Sequence, residues 1–134
     1  MFTKTFPIIL LTAICIGCDP ARILIIDSGK KLNASVTVYS NKSIYPHYDG
    51  GVEANQSMVV RVPPLDSMAQ RKQRFYYGFG VWSPEEVSSF SSGIDSIVFT
   101  GSKQTWSLQT FDEIKAYLLK HRGGILKNSM KIKG

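Results

Sequence analysis

The sequence holds little of the chemistry that marks an enzyme or a metalloprotein. It has two cysteines and two histidines in 134 residues, and both cysteines, Cys15 and Cys18, fall near the start. A chain beginning at Cys18 keeps one thiol, which excludes an intramolecular disulfide and a structural zinc site built on cysteines. No serine stands in a nucleophile elbow, so a Ser/His/Asp arrangement has no local signature. His121 lies near the end of an expected helix, where the dipole favours a cation. His47 with Asp49 and Glu53 could in principle ligate a metal, but three such groups on one loop are a weak pattern, and a solvated loop is the better reading. Gly78-Phe79-Gly80 is not a phosphate loop, because no lysine follows it and its flanks are strand-like. The expectation is no catalytic residue, no metal and no cofactor. Repeats and low-complexity segments are also missing.

What is present begins at the first residue. MFTKTFPIILLTAICIGCDP carries one lysine, an apolar run from Phe6 to Gly17, and an abrupt change to polar sequence at Asp19-Pro20. The run is well short of the roughly 20 residues that span a bilayer as a helix. This is the layout of a secretory signal ending at a cysteine preceded by a small residue. Cys15-Ile16-Gly17-Cys18 resembles the lipobox of bacterial lipoproteins, with Cys15 where leucine is commoner. The resemblance implies cleavage between Gly17 and Cys18, acylation of Cys18, and a membrane anchor outside the cytoplasm. The expected organisation is a removed signal over 1–17, a lipid-anchored tether over 18–22, and one β-rich domain over 23–134.

The formal charge is +6, and it is unevenly placed. Lys115 to Gly134 carries six Lys/Arg and no acid, whereas Cys18 to Ile114 carries nine basic and ten acidic residues. A basic tail near a lipid anchor could touch anionic headgroups, although a solvated strand and helix face accounts for it more simply. The compartment argues against nucleic acid as a partner.

Along the chain, Ile23 to Ile26 reads as a buried strand stopped by Asp27-Ser28-Gly29. Ala34 to Ser40 alternates, with Val36 and Val38 on one face. Ser57 to Val62 is a strand closed by Pro63-Pro64, and Arg74 to Val81 is strongly β in composition. Alternating Phe75, Tyr77 and Phe79 would fill a core, as would Trp106. Gly78 and Gly80 would leave a groove for a bulky neighbour. Ser83-Pro84-Glu85-Glu86 is a capping box opening a short helix to about Ser91. Ile94 to Thr100 and Gln104 to Leu108 are further strands. Thr110 with Glu113 caps a second helix, Phe111 to about Arg122, which presents Phe111, Ile114, Leu118 and either Tyr117 or His121 on one face. Gly123-Gly124 stops it, and Ile125 to Ile132 could add an edge strand guarded by lysines. These elements predict an α+β, mainly β fold: a small antiparallel sandwich or curled sheet, the later helix packed on a sheet face.

The aromatics suggest a contact surface, since tyrosine and tryptophan supply area at low entropic cost and stack on sugar rings. Tyr45, His47 and Tyr48, on a loop broken by proline and glycine, and Trp82 are the candidates. From Tyr77 onward, YGFGVWSPEEVSSFSSGIDSIVFTGSKQTWSLQTFDEIKAYL resembles the C-terminal half of small lipoproteins common in Bacteroidetes-type bacteria, through its Gly-x-Gly-x-Trp and Ile-Asp-Ser-Ile segments. The resemblance implies location and fold more than mechanism. Two triplets, Asp66-Ser67-Met68 and Asp95-Ser96-Ile97, resemble the O-glycosylation acceptor of that group. Asp19-Pro20-Ala21-Arg22 lacks the acidic and lysine-rich surface-export signal, which implies a periplasm-facing protein. The function expected is a non-catalytic, lipid-anchored envelope domain that binds an envelope protein or a glycan; the alternative is an inhibitor or immunity-type protein that blocks a toxin or hydrolase.

Overall fold

Apolar residues at alternate positions build the two sheets of this computed structural model, which describes residues 19–31, 33–44, 57–65 and 69–134. In chain order the elements are β1 (Ala21–Asp27), β2 (Ser35–Ser40), β3 (Met58–Val62), β4 (Lys72–Phe79), α1 (Pro84–Ser92), β5 (Ile94–Thr100), β6 (Thr105–Leu108), α2 (Phe111–Lys120), β7 (Arg122–Gly123), a 3-10 turn (Ile125–Lys127) and β8 (Ser129–Lys133). One sheet has the order β4-β1-β8-β7 and the other β3-β2-β5-β6. Each described pairing is antiparallel except β1 with β8. The expected class, α+β and mainly β with one or two short helices on a sandwich or curled sheet, is the observed one, as two sheets in which antiparallel pairing dominates.

Both sheets feed one core. Leu24 and Ile26 of β1, Met130 and Ile132 of β8, Val36 and Val38 of β2 and Ile97 of β5 are all fully buried. Burying side chains of this size stabilises by about 1.5–3 kcal/mol each relative to exposure. Helix α2 joins the sheets, touching β5 of one and β8 of the other, with Ile114 and Leu118 inward. Its N-terminus closes as a full capping box: Thr110 Oγ1 accepts from Glu113 N at 3.2 Å, and the Glu113 carboxylate accepts from Thr110 N. At α1, Ser83 Oγ accepts from Glu86 N at 3.2 Å, while the Glu86 carboxylate meets Arg22 at 3.4 Å.

The structure corrects several expectations. The last strand is not an edge: β8 lies between β1 and β7, because Met130 and Ile132 need cover on both sides and β1 offers a free ladder. Ala21 and Arg22, expected to lie before the folded domain, already belong to β1. Helix α2 ends at Lys120, because Arg122 and Gly123 pair with Met130 and Ser129. Finally, the alternation in β4 fails after Tyr77.

That failure has a backbone cause. Ala21 faces Phe79 while Ile23 faces Tyr76, so β4 uses one residue more than β1 across this interval. The extra residue is a bulge, which re-aims the side chains beyond it. Gly78 supplies the left-handed conformation that such a bulge takes, at φ 82°, and Gly80 follows at φ 125°. Neither glycine makes room for a neighbour, for an added Cβ would meet nothing within 4 Å. Phe75 is therefore core at 4 % exposure, and Phe79 stands 78 % exposed. Trp106, on the edge strand β6, is 43 % exposed.

Candidate functional site

A cleft of about 710 Å3 opens at the end of the molecule where β1 and β8 finish. Three pieces of chain wall it: the β1–β2 connection with Lys30 and Lys31, the β5–β6 turn with Lys103, and Lys133-Gly134 after β8. Four lysines line it together with Phe99 and Trp106, and among the described residues no acidic side chain does.

Each wall is fixed from below. Asp27 Oδ1 accepts from Gly29 N at 2.9 Å, which closes the turn after β1. Gly29 has φ 79° there, a conformation open to glycine without strain. Arg71 organises the rest of the β1–β2 connection. Its Nε donates to Gly29 O at 2.6 Å, and its Nη2 donates to Lys31 O and to Ala34 O. Ser28 returns the link, its N and Oγ both donating to Arg71 O. The β5–β6 turn is closed by Gly101 N donating to Gln104 O at 2.9 Å. Gly134 N donates to Asp27 O at 3.0 Å and seats the chain after β8.

The aromatic floor comes from register. Phe99 faces Trp106 across β5 and β6, and the rings stack at 3.9 Å with planes 10° apart. Phe99 is buried and Trp106 covers it. Tyr117 of α2 tilts against both rings, and its hydroxyl donates to Lys133 O and accepts from Lys133 N, both at 3.1 Å. Burial raises the Tyr117 hydroxyl above its ordinary pKa, partly offset by that backbone contact.

The chemistry this allows is recognition of negative charge beside a flat apolar surface. Four ammonium groups around one cleft repel one another and are relieved by an anion. Lysines act as mobile point charges that do not demand one bidentate geometry. A half-exposed indole offers a face or edge to a sugar ring.

The residues singled out from sequence fare differently. Gly17, Cys18, Tyr45, His47 and Tyr48 lie outside the described residues, as do Asp66, Ser67 and Met68. Trp82, expected at a contact surface, is 2 % exposed. Its indole donates to Ile23 O at 2.9 Å and meets Tyr77 and Phe90 edge-on at 5.3 and 5.6 Å, so it is core. Tyr77 donates to Ile44 O, and burial raises its pKa well above the ordinary value, with Arg22 opposing. Ser96 lies within β5, paired with Tyr39. His121 caps α2, with Nδ1 2.6 Å from Tyr117 O and its ring stacked on Tyr117 at 3.9 Å. Among the described residues no group of three or more His, Cys, Asp or Glu could hold a metal. No described helix is long and apolar enough to cross a membrane.

The sequence reading missed the lysine cleft. Its signal was the recurrence of lysine in two separate turns, Ser28-Gly29-Lys30-Lys31 and Gly101-Ser102-Lys103, which only the fold brings together. Comparisons of the chain with family models, curated proteins and solved structures return no match.

Proposed function

We propose that the protein is a lipoprotein of the cell envelope, anchored through acylated Cys18 and facing the periplasm, that binds an anionic glycan without catalysing a reaction on it. The observation that carries the binding reading is the cleft itself, with Lys30, Lys31, Lys103 and Lys133 lining it beside half-exposed Trp106. The anchor is supported by the apolar run ending at Gly17-Cys18. A carboxylated or phosphorylated saccharide matches both halves of the cleft: its charge meets the lysines and its ring plane meets the indole. Phe99 and Tyr117 hold that indole in place before any ligand arrives, which limits the ordering penalty of binding.

Trp106 is also the reporter, because the second tryptophan, Trp82, is buried. Titrating the full-length protein with polygalacturonate should change indole fluorescence saturably, and neutral dextran should not. Lys103→Glu and Lys133→Glu should each weaken binding about tenfold, or roughly 1.4 kcal/mol, with a strong loss at raised salt. An equal response to polyglutamate would replace the glycan with an acidic protein segment. A flat titration with both polyanions would sink the binding reading.

A further inference from the structure

The end of the molecule opposite the cleft has a different character. β1 starts there, antiparallel β4 finishes there, and parallel β8 begins there. Four apolar side chains therefore gather around the point where the chain enters the fold. Phe79 is 78 % exposed, Ile125 74 %, Leu126 75 % and Val81 37 %.

These residues are held, not loose. Gly80 N donates to Pro20 O at 2.8 Å, Trp82 N donates to Lys127 O at 2.9 Å, and Asn128 Nδ2 donates to Ala21 O at 2.8 Å. Ile23 N donates to Asn128 O, and Arg122 Nη1 to Trp82 O at 3.0 Å. The 3-10 turn that carries Ile125 and Leu126 is strained: Leu126 has φ 54° and Lys127 φ 61°, both in the left-handed region. A leucine there is neither conformationally favoured nor buried, and strain of this kind collects where a side chain is needed for contact.

The length of chain before the fold names the occupant. From Cys18 to Ala21 is three residues, a reach of at most roughly 11 Å. A headgroup layer is roughly 5–8 Å deep on each side of the hydrocarbon. An acyl group on Cys18 cannot sit in the bilayer unless this end of the domain lies at the headgroups. We infer that Phe79, Val81, Ile125 and Leu126 dock into the bilayer interface beside the anchor, so that the domain stands on the membrane with its lysine cleft outward. Apolar side chains at this depth enter the boundary between headgroups and acyl chains, and Lys127 beside them suits anionic headgroups. The inference rests on the anchor in the reading above, and it adds which face meets the lipid.

The test uses the full-length protein processed in a diderm bacterium and reconstituted on vesicles of phosphatidylethanolamine and phosphatidylglycerol. A spin label is placed at Leu126→Cys, with Lys103→Cys in the cleft as the distal control. Docking predicts that on vesicles the label at 126 gains collisions with oxygen and loses collisions with a water-soluble nickel chelate, while the label at 103 is unchanged. Adding Phe79→Ser and Ile125→Ser should return the label at 126 to solvent without moving the far-ultraviolet dichroism. Acylated, sedimenting protein whose two labels behave alike overturns the docking and leaves the anchor. A label at 126 hidden from both reagents puts a protein over the patch and also overturns it. Unacylated protein in the supernatant removes the anchor, and the docking falls with it.

Discussion

Arg22 gives the sharpest test of where the fold begins, because a tether residue should tolerate any substitution. In the structure its guanidinium lies 5.2 Å from the Trp82 ring, donates to Tyr77 O at 3.3 Å and meets Glu86 at 3.4 Å. The cation–π contact, partly desolvated, contributes about 1 kcal/mol. The long bond to Tyr77 O adds about 1 kcal/mol. The Glu86 side chain is 49 % exposed, so after solvent screening that pair adds less than about 0.5 kcal/mol. The Arg22 side chain is only 21 % exposed, and burial of its methylenes adds about another 1 kcal/mol. Against these stands the buried Nε without a partner, an opposing penalty of about 1 kcal/mol. Arg22→Ala should therefore destabilise by about 2 kcal/mol, Arg22→Met by about 1 kcal/mol, and Glu86→Gln by less than about 0.5 kcal/mol. At a urea slope of about 1–3 kcal/mol/M, the alanine variant should unfold about 1 M earlier. A midpoint for Arg22→Ala within about 0.2 M of wild type would refute the reasoning and return Arg22 to the tether.

Two further outcomes follow from titrating groups. Burial raises Tyr77 above its ordinary value of 10.0, so the unfolded chain loses this proton first. Stability from Tyr77 is complete below about pH 10 and is lost as pH rises from there toward the raised folded value; urea midpoints between pH 9 and 11 should fall less steeply in Tyr77→Phe, and parallel curves would refute the assignment. Glu113 is held below its ordinary value of 4.5 by the backbone N–H groups of Gln109 and then Thr110. Its contribution is present above the ordinary value and lost as pH falls through the lowered one, so Glu113→Gln should flatten the acid limb of the same curve. Thr110→Ala at the opposite half of that capping box should destabilise by about 1 kcal/mol at neutral pH.

What could be read in advance was local. Ser83 and Thr110 placed both helix starts correctly, because a cap is written in four consecutive residues. Ile94 to Thr100 was bounded by Gly93 and Gly101, and β5 has those limits. Val36 and Val38 share the buried face expected of them. The misses are all non-local. Parallel pairing of Ile23 with Ser129 has no signal in either segment. The bulge in β4 is a property of two strands, and it reversed the expectation for Phe79 while Phe75 kept its place. Trp82 lies beyond the end of β4, and only the meeting of Tyr77, Phe90 and Ile23 around it makes it core. The cleft was hidden for the same reason, since each lysine-bearing turn alone is an ordinary solvated turn.

Insertion of β8 between β1 and β7 fixes when the molecule can finish folding. The ladder from Ile23–Ser129 to Asp27–Lys133 joins the start of the fold to its last strand. At synthesis rates of about 5–20 residues per second, β1 waits roughly 5–20 s for that partner. Through this interval β1 has β4 on one side and nothing on the other, and Leu24 and Ile26 lack their neighbours Met130 and Ile132. Closing so long a loop late in synthesis keeps the contact order high and the final collapse slow. A chain arranged in this way cannot complete its core before β8 has been made.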